Sequence, residues 1–265
     1  MDHGIIGLIA AMPDEIRPLL RLAGKYRREK IEGFDAYRFA FGEEKVLLIK
    51  SGMGLDNGAA AAHALVKAKP CIIINFGFCG GVKPGPRVGD IVMAQRILLN
   101  REALFSPQSG IVEEDAKRLA RFLADALNGR ELQVYGGTFV TTAGIRSKDE
   151  MANLIPVWAL NPVLEMETAA VAKAAAKEMV PFLAVRGVSD DASEELGFSI
   201  DELTDSSMKL RFGKVLLTVA RKPRIIPQML RLAKNSRAAG ESLALAVAAL
   251  LEDTDELPLK RIRRH

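Results

Sequence analysis

Runs of apolar residues bounded by turn formers recur along the chain at 5–11, 46–50, 71–76, 91–94, 134–140 and 182–188. Their length and bracketing predict strands. Several lack the apolar–polar alternation of a half-exposed strand, as expected where both faces are covered. Between them lie stretches with helical spacing, among them 57–68, 115–127 and 167–178. This alternation predicts an α/β fold, a three-layer α/β/α sandwich around a central mixed sheet. After the last strand two more helices are expected, roughly over 200–220 and 226–251, joined by a turn at Arg221, Lys222 and Pro223. Met229, Leu230, Ala233, Leu243, Leu245, Val247, Leu250 and Leu251 give the last helix a broad apolar surface, to be buried against the domain, a second subunit or a membrane face.

Composition narrows the class. The chain is 49% hydrophobic and 26% charged, enough to bury a core and too apolar for a disordered protein. Its 265 residues suit one domain, with 223–265 as a C-terminal helical extension and basic tail. The apolar start runs after about nine residues into Pro13, Asp14 and Glu15, so it reads as a buried strand rather than a signal peptide or a membrane span. Cys71 and Cys79 lie in or just after an apolar run, which suggests neither a disulfide framework nor a zinc site and fits a reducing cytoplasm. Neither metal nor cofactor is expected. Much of the +4 net charge sits in the last six residues with no interleaved aromatics, so the tail reads as solvated and no nucleic-acid partner is expected. The histidines, His3, His63 and His265, make no triad with a serine or cysteine.

In sheets of this kind the chemistry gathers at the carboxyl ends of strands. The 51–58 segment looks like a dinucleotide fingerprint, but Gly58 follows Gly54 by four positions where three are needed. It reads as a tight turn whose N–H groups could hold an anion or water. The Phe76–Gly77–Phe78–Cys79–Gly80–Gly81 cluster is either another turn or a place where a flat ligand approaches the backbone. Glu165 and Glu167 bracket Met166 at the mouth of the sheet, and helix capping accounts for Glu167 alone. Arg186, Ser189, Asp190 and Asp191 end the last strand, as a capped turn or as an assembled polar site.

Taken in order, these segments resemble the methylthioadenosine/S-adenosylhomocysteine nucleosidases of the purine nucleoside and uridine phosphorylase superfamily. The likeness spans about 4–191 and rests on residues 10–15, 51–54, 75–81, 88–92, 165–170 and 186–190. Phosphorylases hold a phosphate dianion and carry glycine and arginine after the first strand, where this chain has Asp14 and Glu15. Carboxylates repel phosphate, which favours hydrolysis by water.

The resemblance implies that Glu15 is the general base and that a protonated Asp190, oriented by Ser189, donates to purine N7. By the same resemblance Met166 packs on the ribose of a small nucleoside substrate, Glu167 binds its hydroxyls, and Arg186 positions water or Glu167. Glu165 and the Phe78–Cys79–Gly80 stretch border the substrate, with Phe139 and Val140 as walls for adenine. A homodimer is implied. Phe78 replaces the usual serine, and residues 98–105 lack the family's His and Asp pattern, so the 5' pocket differs. The segment from Lys222 to Arg237 looks like the tail of the hopanoid-associated branch, which removes adenine from adenosylhopane; there the last helix and basic tail would meet a membrane surface. A phosphate-dependent phosphorylase and a non-catalytic nucleoside-binding protein are the competing readings.

Overall fold

The computed structural model describes residues 4–102, 104–144, 146–192 and 226–258. The helix expected over 200–220, the turn at 221–223 and the basic residues 260–265 lie outside them. In chain order the elements are β1 (Ile5–Ala10), α1 (Pro13–Ala23), β2 (Arg27–Ile31), β3 (Phe34–Phe41), β4 (Glu44–Lys50), α2 (Leu55–Val66), β5 (Pro70–Gly81), β6 (Ile91–Arg101), β7 (Leu104–Gln108), α3 (Glu113–Ala126), β8 (Val134–Thr141), α4 (Lys148–Leu154), β9 (Val163–Glu165), α5 (Thr168–Lys177), β10 (Phe182–Asp190) and α6 (Ile226–Glu252).

β1 shows why the apolar runs do not alternate. Ile6, Leu8 and Ala10 share a core with Leu19 of α1, Leu119 of α3 and Val247 of α6. Ile9 joins Ala61 of α2 and Val171 of α5 on the other face, because successive strand side chains point to opposite sides. Both faces are covered by helices, as a three-layer sandwich requires. The strands form one mixed sheet in the order β10-β6-β8-β9-β5-β1-β4-β3-β2, with β7 on β6. Because β5 also pairs with β10, five strands (β5, β10, β6, β8, β9) close into a ring, and β1, β4, β3 and β2 extend from it. Parallel pairing of β1 with β4 and β5, and of β5 with β10, gathers their carboxyl ends at one edge.

Two differences from the expected elements matter for the site. β5 continues to Gly81, so the glycine cluster is strand and not turn: Gly77, Phe78 and Cys79 pair with Arg186, Gly187 and Val188. β2 and β3 escape the apolar pattern because β2, Arg-Arg-Glu-Lys-Ile, is a largely exposed edge. They are joined by Glu32 (φ 51°) and Gly33 (φ 88°), the two left-handed residues that a tight hairpin needs.

The last helix buries its apolar residues in the body. Leu243, Ala244, Ala246, Val247, Leu250 and Leu251 are enclosed against α1, α3 and the sheet. In its first half Leu230 and Ala233 are exposed, and the side chain of Met229 lies outside the described ones. Among the described residues no helix is long and apolar enough to cross a membrane. α6 lies so close to β10 that a Cβ on Gly187 would stand 2.7 Å from the Ala239 carbonyl oxygen. Gly187→Ala should therefore force the helix off the sheet and destabilise the protein by about 1–3 kcal/mol. Urea unfolding measures this, and an unchanged midpoint would mean that the contact is slack.

Candidate active site

Glu15 is the third residue of α1, and its carboxylate turns back into the protein. Oε2 accepts from the N–H groups of Ala11 (2.8 Å) and Met12 (2.7 Å), and Oε1 accepts from Phe78 N–H (2.9 Å). The bond to Met12 satisfies a donor at the helix start; the bond to Phe78 ties α1 to β5. A carboxylate offers about four lone-pair sites, so Oε1 keeps one for a ligand. Burial raises the pKa of Glu15, against the lowering effect of the three N–H bonds and of Arg186. Asp14, its neighbour, is exposed and paired with Arg17. It has no part in the site.

The second group is centred on Arg186, whose side chain is 1% exposed. Its Nη2 donates to Glu165 Oε2 (2.8 Å), Asn75 Oδ1 (2.6 Å) and Thr168 Oγ1 (2.7 Å), and its Nη1 to the Asn75 and Val185 carbonyls (both 3.1 Å). The guanidinium stacks on Phe139, 5.6 Å from the ring centroid. Glu165 also accepts from the hydroxyls of Thr141 and Thr168 and from the N–H groups of Glu167 and Thr168. Burial pushes its pKa up, but Arg186 and these donors outweigh burial and hold it below the ordinary value. Glu167 accepts one bond on Oε1, from Gly54 N–H at 2.6 Å, and its Oε2 carries none among the described residues. Burial pushes its pKa up to about 8, and the Glu165 charge adds to the effect. The 51–58 turn thus holds a carboxyl group of the protein itself.

The third group closes β10. Ser189 Oγ donates to Asp190 Oδ1 at 2.8 Å, and Lys148 Nζ lies 2.5 Å from Asp190 Oδ2. Asp190, expected to donate to purine N7, thus has the ammonium of Lys148 as a direct neighbour, a partner the sequence did not suggest.

Other expectations also change. Arg186 makes no hydrogen bond to Glu167 among the described residues; both its Nη groups are taken by protein partners, its buried Nε has none, and its charge acts on Glu167 and Glu15. Phe139 and Val140 are wholly buried, in separate clusters on opposite sides of the strand, so they are not two walls of one pocket. The Phe78 ring packs into the α1–α6 layer; its backbone serves the site. Cys79 is buried, and burial raises its thiol pKa far above the ordinary value, leaving it unreactive. Met166 is half-buried beside the two acids. Gly80 makes room for Asp190: a Cβ there would stand 2.7 Å from Oδ2. Asn75, Thr141, Thr168 and Lys148 were missed; only Asn75, polar within an apolar run, carries a signal in the sequence.

Buried carboxylates held apart in acidity at the strand ends of an α/β sheet are the equipment of an acid–base enzyme. The chain belongs to the phosphorylase superfamily, whose family model matches residues 5–221. It is 29% identical over 229 residues to the 5'-methylthioadenosine/S-adenosylhomocysteine nucleosidase of an Exiguobacterium strain, covering 82% of this chain and 97% of that one. To the nucleosidase of the same name from Listeria innocua it is 28% identical over 221 residues, with 77% and 94% covered. Among solved structures, the Neisseria meningitidis nucleosidase in complex with methylthio-immucillin-A aligns with a TM-score of 0.66 at 22% identity, over 94% of this chain and 99% of that one. Futalosine hydrolase of Helicobacter pylori aligns at 0.67 and 16% identity, over 94% and 98%. At these identities the structural likeness speaks for the fold.

Two predictions test the electrostatics. A Cβ on Gly77 would stand 2.7 Å from Glu15 Oε1, so Gly77→Ala should displace the carboxylate and lower turnover about a hundredfold; turnover at the wild-type rate would show that its position is not critical. A carboxyl held above its ordinary 4.5, as Glu167 is, favours the folded state fully below 4.5 and loses that contribution as pH rises through about 8. Glu167→Gln should remove this dependence, so that wild type loses on the order of a few kcal/mol relative to the variant across that window. Parallel stability–pH curves would show that the carboxyl is not held up.

Proposed function

We propose that the protein hydrolyses the N-glycosidic bond of a 5'-substituted adenosine, of the methylthioadenosine or S-adenosylhomocysteine type, and releases adenine. The observation that carries this reading is the occupation of the backbone donors at the strand ends. Ala11, Met12 and Phe78 N–H groups are given to Glu15, and Gly54 N–H to Glu167. These are donors a bound phosphate would need, and a carboxylate on Glu15 would repel it. Water suits the same place. Glu15 uses its remaining lone pair to take a proton as the hydroxide adds to the anomeric carbon.

The bond electrons pass into the purine, which takes a proton at N7 from Asp190, with Ser189 fixing the carboxyl. Glu167 Oε2 meets the ribose hydroxyls and Met166 packs on the sugar. Arg186 balances the charge of Glu165 beneath them. The relatives named above support this substrate class. The exposed apolar residues Leu104, Val157, Trp158 and Leu160 suit burial in a homodimer. A second reading keeps the chemistry and changes the 5' group to a lipid, as in adenosylhopane. It is favoured by the exposed Leu230 in the α6 half that carries Arg231, Lys234 and Arg237, a combination that suits a membrane surface.

Purified protein should release adenine from methylthioadenosine or S-adenosylhomocysteine in phosphate-free buffer, and Glu15→Gln should slow this by about 10²–10⁴-fold. Turnover that requires phosphate would sink the hydrolytic reading. Release from adenosylhopane but not from the thioethers would establish the second reading over the first.

A further inference from the structure

We infer that Lys148 supplies, through Asp190, the proton that the departing purine takes up, so that the ammonium–carboxylate pair and not the carboxyl alone is the acid. The inference rests on the reading that Asp190 faces purine N7. Lys148 opens α4, directly after the capping Ser147, a position where the helix dipole disfavours a cation. Its side chain is nevertheless only 11% exposed, and that of Asp190 20%. Nζ lies 2.5 Å from Asp190 Oδ2 and also donates to the Asp191 carbonyl at 2.5 Å. Ser189 Oγ donates to Oδ1. Both carboxylate oxygens therefore already receive hydrogen atoms, and a proton placed on Oδ2 would point at an ammonium hydrogen.

The pair sits over Gly80. A Cβ there would stand 2.7 Å from Asp190 Oδ2 and 3.4 Å from Lys148 Cε, so the missing side chain admits both partners. The other titratable groups around them are already engaged or inert. Asp191 follows on the same strand end and accepts from Nζ through its carbonyl. The Cys79 thiol of β5 is held neutral by burial. Glu165 and Arg186 pair with each other, and Glu150 of α4 pairs with Arg146. The proton available at this end of the site is therefore the one on Lys148.

The step balances. The C–N bond breaks and its electron pair enters the purine. N7 takes a proton from Asp190 as Asp190 takes one from Nζ. The products are neutral adenine, a carboxylate and a neutral amine, and the amine recovers its proton from solvent. An ammonium ordinarily keeps its proton to higher pH than a carboxyl does, so the pair would stay armed where a lone carboxyl is already spent.

The test compares kcat and KM for adenine release across pH in wild type, Lys148→Arg, Lys148→Met and Asp190→Asn. Arginine preserves the charge and the contact with Asp190 but does not part with its proton. Both Lys148 variants should lose kcat by about tenfold or more with little change in KM, as expected when a general acid is removed. In Lys148→Met the alkaline limb of the kcat profile should also move to lower pH. The inference is overturned if Lys148→Arg keeps the wild-type kcat, since charge and position would then suffice. It is equally overturned if Lys148→Met becomes faster above neutral pH, because the lysine would then be a lock that keeps Asp190 ionised. Asp190→Asn separates the two levels: a full rate there sinks the acid role of Asp190 itself, whereas a lost rate beside unaffected Lys148 variants sinks this inference alone.

Discussion

Burying several carboxylates at one edge of a sheet demands a cation inside the protein, and Arg186 meets that demand. Its pair with Glu165 is 1% and 0% exposed, the regime in which removing one partner strands a charge at a cost of about 3–5 kcal/mol. The pair is tolerable because Asn75, Thr141 and Thr168 add hydrogen bonds to Nη2 and to the Glu165 carboxylate, leaving Nε as the one guanidinium nitrogen without a partner among the described residues. A lysine, with one nitrogen, would not reproduce the planar fork in which Nη2 serves Glu165, the Asn75 amide oxygen and Thr168 while Nη1 reaches the Asn75 and Val185 carbonyls. The same pair also sorts the other acids. Arg186 draws Glu15 and Glu167 toward ionisation, while the fixed charge on Glu165 pushes Glu167 the other way. Residues of identical chemistry thereby come to differ in charge at one pH, which an acid–base site requires.

The geometry that permits this is set by glycines in a strand. β5 passes beneath both ends of the site, and it lacks a Cβ where Glu15 approaches at Gly77 and where Asp190 approaches at Gly80. Glycine weakens a strand interior; here pairing of β5 with β1, β9 and β10 compensates. The register between β5 and β10 slips between Val188 and Asp190, at the point where β10 delivers Ser189 and Asp190. Such irregularities re-aim side chains at the ends of sheets.

Much of this was legible in the chain. Buried parallel strands announce themselves as continuous apolar runs, and the acids stood out because Glu15 and Asp190 follow such runs while Glu165 and Glu167 bracket a methionine at the start of a helical stretch. What escaped has physical reasons. β2 is an exposed charged edge, so its pairing comes from a hairpin turn and not from an apolar stripe. α1 begins at Pro13 and carries Pro18 inside it, so its sequence looks punctuated. Pairings between distant segments leave no local trace: Arg186 with Glu165 lies 21 positions apart, and Lys148 contacts the Asp191 carbonyl across 43. The glycine cluster stayed open between a turn and a close approach to the backbone, because glycine at strand positions reports an approach without saying by what; here it is the Glu15 and Asp190 side chains.

The distinction between water and phosphate as nucleophile then reduces to which groups own the backbone donors. An N–H group at a strand end or helix start is a partial positive charge that must be satisfied. A protein that leaves several unsatisfied and convergent has built a receptor for an external anion. Here Glu15 supplies the anion from within the chain, and three N–H groups close on it. That arrangement caps α1, joins it to β5 and leaves a buried carboxylate with one lone pair open. Burial makes this carboxylate a stronger base than an exposed one, since its pKa is raised, and the N–H bonds keep it in place while it accepts a proton. In the proposed mechanism, support of the helix start and activation of a neutral nucleophile are therefore carried by the same atoms, and exchanging them for an external dianion would disturb both.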